Sequence, residues 1–266
     1  MNLIKKDFKN VSEFLRKISK EASKVIFEIY KNEFDYTRKE DGSPLTKADI
    51  ESNRIICRKL KREFPNIPII SEESQLPEIC KSMDFFLVDP LDGTKEFINK
   101  NGEFTVNIAF IKNQIPILGI IDLPSEDIQY FTDGTNSYKS QDNKNSIIKA
   151  KRNKELTITV SRSHIDEKTK KFLNKIDDCK VVKKGSSIKL CMIAEGHADI
   201  YIRFGNTSEW DIAAGHAILR NANGRLFDIK TMNELIYGKK DFLNKSFVAV
   251  GLVEKSYINN HLSSLI

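Results

Sequence analysis

The stretch Val88-Asp89-Pro90-Leu91-Asp92-Gly93-Thr94-Lys95-Glu96-Phe97 constrains this chain more than any other. It begins where an apolar run, Phe85-Phe86-Leu87-Val88, is expected to end as a buried strand. Asp89 and Asp92 follow three residues apart, and Pro90 between them denies the chain a helix at that point. Two carboxylates held by a rigid turn at a strand end suit a hard cation such as magnesium. Gly93 lets the backbone fold tightly, and Thr94 stands where a helix can begin. Backbone N–H groups at a helix start attract anions, phosphate above all. One segment can therefore hold both a metal and the phosphoryl group it acts on.

Two other readings compete. Asp, Pro and Gly dominate turns, so D-P-L-D-G also reads as a plain surface turn. Phosphatases that use an aspartate as covalent nucleophile carry D-x-D-G-T, whereas the spacing here is D-x-x-D. That spacing argues for metal ligation and an attacking water, and the choice rests on the remaining segments.

At 266 residues and 40% hydrophobic, the chain can bury a substantial core, as one large domain or two modest ones. The net charge of +6 is spread among interspersed Lys, Asp and Glu, without a basic run interleaved with aromatics, so nucleic-acid binding is not indicated. Cys57, Cys80, Cys179 and Cys191 form no C-x-x-C pair, which suggests neither a zinc site nor a disulfide framework. No apolar run has signal-peptide character or bilayer-spanning length, so a cytoplasmic protein without a membrane span is expected.

Apolar residues at helical spacing predict an amphipathic helix from Phe8 to Tyr30. A short strand over Phe34–Lys39, a turn at Asp41–Pro44 and a helix from about Leu45 to Phe64 follow. Thr46 and Asp49 have the form of an N-cap and an acidic first turn, so Asp49 reads equally as helix partner and as catalyst. Ile67–Ile70 reads as a buried strand, and Ser71-Glu72-Glu73 directly after it as a second acidic strand end. Neighbouring strand ends in one sheet would bring Glu72 to Asp89.

Strands are expected at Phe104–Ile111, Ile115–Ile121 and Ile128–Thr132. The polar stretch from Gly134 to Lys154 reads as a connection, with a domain boundary near its end: 1–154 and 155–266. The second part predicts strands at Leu156–Val160, Lys180–Val182, Ile200–Arg203 and Phe247–Gly251. Helices are expected at Lys168–Ile176, Ser187–Glu195, from Asp211 onward and at the C-terminus. The helix from Asp211 is rich in small residues, and Trp210 before it reads as a core anchor. His164, His197, His216 and His261 lack a metal-binding spacing. They are taken as structural or surface residues, with His216 expected nearest a pocket. No G-x-S-x-G elbow supports a serine hydrolase.

Four ordered segments now carry a resemblance: Pro44-Leu45-Thr46-Lys47-Ala48-Asp49, Ser71-Glu72-Glu73, Asp89-Pro90-Leu91-Asp92-Gly93-Thr94 and Trp210-Asp211-Ile212-Ala213-Ala214-Gly215. Together they resemble the magnesium-dependent, lithium-sensitive phosphomonoesterases of the inositol monophosphatase superfamily. Lys95-Glu96-Phe97, Gly102-Glu103-Phe104-Thr105-Val106-Asn107, Gly185-Ser186-Ser187-Ile188-Lys189 and Gly205-Asn206-Thr207-Ser208-Glu209 are most similar to the 3′(2′),5′-bisphosphate nucleotidases of bacterial CysQ type. Asn221-Ala222-Asn223-Gly224 departs from a turn that is often more Gly-rich, and Lys245 stands where a proline is common.

The resemblance implies a layered α/β (α+β) fold, an αβαβα sandwich with the active site between two halves. It implies removal of the 3′-phosphate of adenosine 3′,5′-bisphosphate, leaving AMP, with two or three Mg2+ ions per site. By the same resemblance Glu72, Asp89 and the Leu91 carbonyl hold a first magnesium, and Asp89, Asp92 and Asp211 a second. Gly93 and Thr94 hold phosphate, Asp49 and Thr94 activate water, and Glu72 contributes to catalysis. Glu72, Leu91, Asp92, Gly93, Thr94, Ser186 and Asp211 meet the substrate, a small phosphonucleotide.

Peripheral association with the cytoplasmic face of the inner membrane stays open beside the cytoplasmic expectation, and so does the oligomeric state. The rival activities are inositol monophosphatase and fructose-1,6-bisphosphatase on the same fold. A non-catalytic phosphonucleotide sensor and a surface-interaction module using the basic charge are the rivals outside enzymes.

Overall fold

A computed structural model describes residues 8–75, 83–163 and 165–262. Cys80 and His164 lie outside the described residues. In chain order the first part runs α1 (Phe8–Lys31), β1 (Tyr36–Arg38), β2 (Pro44–Thr46), α2 (Lys47–Glu63), β3 (Ile69–Ser71), β4 (Phe85–Asp92) and α3 (Thr94–Ile98). Five strands follow: β5 (Thr105–Lys112), β6 (Ile115–Leu123), β7 (Ile128–Thr132), β8 (Ser137–Gln141) and β9 (Lys144–Ile148). The second part runs β10 (Leu156–Ser161), α4 (Glu167–Leu173), β11 (Cys179–Lys184), α5 (Ile188–Glu195), β12 (Ile200–Arg203), β13 (Thr207–Ser208) and α6 (Glu209–Asn221). It closes with β14 (Arg225–Asp228), β15 (Leu243–Asn244), β16 (Phe247–Val250) and α7 (Lys255–Leu262).

Strands β3 to β9 form one sheet in sequence order, antiparallel except for the parallel β3–β4 pair. A second sheet has the order β11-β10-β12-β16-β14. Side chains alternate across a strand, and β4 shows the consequence. Phe86 and Val88 join a core with Leu15, Ile18 and Ile26 of α1 and Ile56 and Leu60 of α2. Phe85 and Leu87 join a different core, with Ile193 of α5, Ile212 and Ile218 of α6, and Tyr201 and Phe247 of the second sheet. The outer face of that second sheet packs Ile158, Ile200 and Val248 on Phe172 of α4 and Ile258 of α7. Three cores therefore join five layers, the middle core filling both faces of α5/α6: α1/α2, the first sheet, α5/α6, the second sheet, α4/α7. This is the αβαβα sandwich.

Helix α6 lies between sheets, and its small residues explain how it fits. A Cβ on Gly119 of β6 would meet the Ala214 carbonyl oxygen at 2.2 Å, and one on Gly215 would meet Leu190 of α5 at 2.4 Å. Trp210 is partly buried and packs on the same core.

Several expectations need correction. The Gly134–Lys154 stretch is not a plain connection: β8 and β9 form a hairpin there, closed by Asp142 and Asn143, both at positive φ (50° and 58°). Its side chains are mostly polar and half-exposed or exposed, so no alternating apolar pattern marks it. Strand β4 does not end at Val88 but runs through Pro90 to Asp92. It can do so because β3 reaches only as far as Val88 and the register with β5 shifts between Asp89 and Asp92. A proline is tolerated where the ladder is interrupted in this way. The strands β2 and β14 were not anticipated; the first pairs with β1 and the second with β16.

Candidate active site

The site is built where strand ends meet helix starts. Parallel pairing puts Ser71 beside Val88, and the Glu72 N–H donates to the Val88 carbonyl at 3.2 Å. Glu72 therefore comes beside Asp89, as neighbouring strand ends predicted. Past the register shift, Ser52 Oγ donates to the Pro90 carbonyl at 2.7 Å and fixes the irregular segment to α2. Gly93 then caps α3 with φ 88°, and a Cβ there would approach the Glu103 carbonyl oxygen to 2.9 Å. Only glycine fits this position without strain.

From the far half, α6 delivers Asp211 in its first turn, where the Ser208 N–H donates to Asp211 Oδ2 at 2.9 Å. Glu72, Asp89 and Asp211 each bring a carboxylate oxygen within 4.8 Å of the others, so this trio could hold a metal ion. Asp92 stands beside it. Its Oδ2 accepts from the Ser187 N–H (2.7 Å), the Ser186 hydroxyl (2.8 Å) and the Asn107 amide (3.3 Å). All four acids line a cavity of about 320 Å³, together with Leu91, Gly93, Thr94 and Ser186.

Asp49 does not line that cavity but sits behind Thr94. Its Oδ2 accepts from the Thr46 N–H at 2.7 Å and the Thr46 hydroxyl at 2.5 Å, completing a capping box on α2. Its other oxygen, Oδ1, faces the Thr94 hydroxyl at 3.3 Å, which also lies 3.3 Å from the Leu91 carbonyl. The two readings of Asp49 are thus not exclusive. One oxygen caps the helix and the other is turned toward the site.

The electrostatics of the cavity call for cations. Burial pushes the Asp89 carboxyl well above the usual range, with Glu72 and Asp92 adding repulsion. Asp211 is pushed well up by burial, then by Asp92 and Glu72. Burial also raises Asp92, against the opposing pull of Lys189 and its hydrogen-bond donors. Crowded carboxylates with raised pKa values favour a bound cation, and a donor set made of carboxylate and carbonyl oxygens suits a hard one. The residues present fit such an ion. Lys39 supplies part of the balance: its Nζ pairs with Glu72 at 2.9 Å and also with Glu73.

Other groups at the site were given no role from the sequence, although Thr105, Asn107, Ser187 and Lys189 lie in segments that carry the resemblance. Lys189 is buried, points its Nζ at the Lys184 and Ser186 carbonyls, and lines the cavity with Arg203. Burial pulls Lys189 down to about 8 while Asp92 holds it up. Thr105, Asn107 and Ser187 join the network around Asp92. The available signal was the alternation of polar residues at the start of a strand expected to be apolar.

His216 corrects another expectation. It does not line the cavity; it is buried, 2.9 Å by Nδ1 from the Tyr237 hydroxyl and 3.3 Å by Nε2 from Glu234. Burial lowers its pKa, so it serves as a neutral core residue. Cys57, Cys179 and Cys191 are free thiols, and among the described residues no helix is long and apolar enough to cross a membrane.

The comparisons with known proteins bear on the family and the fold. The 3′(2′),5′-bisphosphate nucleotidase CysQ of Buchnera aphidicola is 42% identical over 243 residues, 88% of this chain and 91% of that protein. A crystal structure of CysQ from Bacteroides thetaiotaomicron, described as a bacterial member of the inositol monophosphatase family, superposes with a TM-score of 0.82 at 34% identity, covering 93% of this chain and 99% of that one. An IMPase of Thermotoga maritima shares the fold at 19% identity, with a TM-score of 0.81 over 95% and 96% of the two chains. The family model for the inositol monophosphatase family matches residues 7–265, so the chain belongs to that family.

Proposed function

We propose that this protein is a magnesium-dependent 3′(2′),5′-bisphosphate nucleotidase. It removes the 3′-phosphate of adenosine 3′,5′-bisphosphate to give AMP and phosphate. The observation that carries the reading is one cavity lined by four acids, Glu72, Asp89, Asp92 and Asp211, and by the cations Lys189 and Arg203. The acids suit metal-assisted attack on a phosphate monoester, and the cations suit a substrate bearing a further anionic group. Its likeness to nucleotidases at 42% identity, against 19% to the Thermotoga IMPase, supports this branch over the inositol one.

The roles divide by position. Glu72, Asp89, Asp211, Asp92 and the Leu91 carbonyl would hold two or three magnesium ions. When bound, such ions neutralise phosphoryl oxygens, activate water and stabilise the leaving alkoxide. Gly93, Thr94 and Ser186 orient the phosphate ester. With its proton given to Asp49 Oδ1, the Thr94 hydroxyl can accept a proton from the attacking water. Asp49 then stores that proton. Burial raises Asp49 above the usual carboxylate range, despite the opposing Thr46 bonds, which brings the base nearer to neutral operating pH.

Residues 1–154 supply Asp49, Glu72, Asp89, Asp92 and Thr94, and residues 155–266 supply Ser186 and Asp211; a division at this point matches that sharing. The test is a side-by-side assay of adenosine 3′,5′-bisphosphate, inositol 1-phosphate and fructose 1,6-bisphosphate at equal magnesium. The nucleotide should have the highest kcat/KM. A higher value for inositol 1-phosphate would move the protein to the inositol branch. Binding of the nucleotide without turnover would make it a sensor.

A further inference from the structure

Asp92 differs from the other aspartates of the site in where its support comes from. Asp49, Asp89 and Asp211 each accept a backbone N–H from a residue two or three positions away: Thr46, Leu91 and Ser208. The backbone N–H that Asp92 accepts belongs to Ser187, 95 positions along the chain. That donor lies in a strap, Gly185-Ser186-Ser187, which connects β11 of the second sheet to α5. The strap is not self-supporting. Ser186 has φ 51°, a left-handed conformation that costs a non-glycine residue energy unless its surroundings impose it.

What imposes it is one face of the first sheet. Glu103, Thr105 and Asn107 alternate along the entry to β5 and so point the same way. Thr105 Oγ1 lies 2.5 Å from Ser186 Oγ and 2.9 Å from Ser187 Oγ, and Ser187 Oγ donates to Asn107 Oδ1 at 2.8 Å. Glu103 takes the first residue: its Oε2 accepts the Gly185 N–H at 2.7 Å. Arg162 grips the same carboxylate by two nitrogens, Nε and Nη2, each at 2.7 Å, and Lys184 adds Nζ at 3.2 Å. Such a two-pronged Arg–carboxylate pair is strong and directional. Burial works against the Glu103 charge, yet the Arg162, Gly185 and Lys184 bonds bring its pKa down to about 2. The contact is also close. A Cβ on Gly185 would lie 2.7 Å from Glu96 Cγ and 3.0 Å from the Glu103 carbonyl oxygen. Glu103 itself does not line the cavity.

We propose that Glu103 is a positioning residue for the phosphatase site: it anchors the Gly185–Ser187 strap so that Ser186 and Ser187 hold Asp92 Oδ2 and leave Oδ1 directed at the metal and phosphate. This rests on the reading of the acidic cavity as a metal-dependent phosphatase site. Outer groups that orient a ligating carboxylate commonly change metal affinity when removed.

The test compares wild type with Glu103→Gln and Glu103→Ala. The glutamine keeps the shape and can still accept the Gly185 N–H, but it loses the paired grip on Arg162 and Lys184. Free Mn2+ is followed by electron paramagnetic resonance without substrate, kcat/KM is measured on adenosine 3′,5′-bisphosphate, and melting is followed by circular dichroism. Glu103→Ala should weaken Mn2+ binding and lower kcat/KM by about tenfold or more each, and Glu103→Gln by about threefold or more, in line with losses for outer-sphere partners.

A residue that merely supports the fold would lower the melting temperature and leave Mn2+ affinity unchanged. Mn2+ affinity within twofold of wild type in a folded variant would therefore overturn the proposal, and Glu103→Gln alone decides if the alanine variant does not fold. If wild type binds Mn2+ but hydrolyses none of the three esters, the phosphatase reading falls while the Mn2+ comparison still judges the strap. A wild type that binds no Mn2+ overturns both.

Discussion

Asp49→Asn separates chemistry from capping at one position. The capping oxygen, Oδ2, is fixed by two donors from Thr46, its N–H at 2.7 Å and its hydroxyl at 2.5 Å. Asparagine can place its carbonyl oxygen there and keep both bonds, so the part of the capping box that Asp49 supplies at N3 survives. What it loses for stability is one negative charge in the first turn of α2, worth about 0.3–1 kcal/mol. Burial raises the Asp49 pKa, so removing its charge also relieves a penalty of opposite sign. The net change should stay under about 1 kcal/mol, a shift in Tm of about 2–4 °C at most for a chain of this size.

The other half of the side chain fares differently. An –NH2 group at the Oδ1 position donates to Thr94 Oγ1 and directs the threonine proton toward the Leu91 carbonyl, 3.3 Å away. The proton acceptor is gone, and kcat should fall by about a hundredfold or more, the usual cost of losing a general base. Phosphate release from adenosine 3′,5′-bisphosphate and a thermal melt on the same preparation give both numbers. Normal turnover with an unchanged Tm would refute the relay and leave Asp49 a cap.

Removing divalent metal with EDTA should abolish phosphate release and added Mg2+ should restore it, while Li+ should inhibit at Mg2+ levels that support activity; turnover in EDTA would count against the metal assignment. The stabilisation by Mg2+, read as Tm with Mg2+ minus Tm in EDTA, should grow as pH rises above the ordinary carboxylate range. Folded-state pKa values of Asp89, Asp92 and Asp211 are raised, so the metal-free fold loses stability as pH climbs from the unfolded value through the folded ones. A cation removes that loss, and a gap constant with pH would contradict it. Gly119→Ala should destabilise by about 1–3 kcal/mol, because its Cβ would come 2.2 Å from a backbone oxygen of α6 that cannot rotate away; a melt unchanged within error would refute this.

The layering itself was expected only from the family resemblance; what the chain shows directly is which segments are buried. Phe85 and Leu87 face one core while Phe86 and Val88 face another, and α1 repeats its apolar residues at helical spacing. Pro90 excludes a helix there, as expected, but the strand end was placed at Val88 because the apolar run stops there; β4 has no β3 partner beyond Val88 and still continues to Asp92. The β8–β9 hairpin carried almost no apolar signal, since it is held by backbone pairing at a sheet edge. Its Asp142-Asn143 turn was the one available sign. His216 was expected near a pocket because it lies on the small-residue helix with Asp211. The helix in fact turns it toward Tyr237, and helical phase rather than proximity in sequence decides that.

The site follows a single rule that explains what could be read and what could not. Each of its four aspartates has one oxygen tied to a backbone N–H: Asp49 Oδ2 to Thr46, Asp89 Oδ1 to Leu91, Asp92 Oδ2 to Ser187 and Asp211 Oδ2 to Ser208. Such a bond favours the charged form, and it sets which way the second oxygen points. At Asp89 and Asp211 these bonds do not overcome burial and mutual repulsion, and a bound cation would relieve both. Three of the ties are local and leave a spacing in the sequence: Thr46 to Asp49, Asp89 to Leu91, Ser208 to Asp211. The fourth crosses from one sheet to the other. It leaves no spacing: Glu103 and Gly185 lie in segments that carry the resemblance, but nothing in the sequence ties them to Arg162 or to Asp92 until the fold brings them together. Glu72 lies outside the rule: Lys39 holds its Oε1 at 2.9 Å through an ion pair. The local ties let the site be recognised from the sequence, whereas the long-range tie makes its geometry depend on how the two sheets are joined.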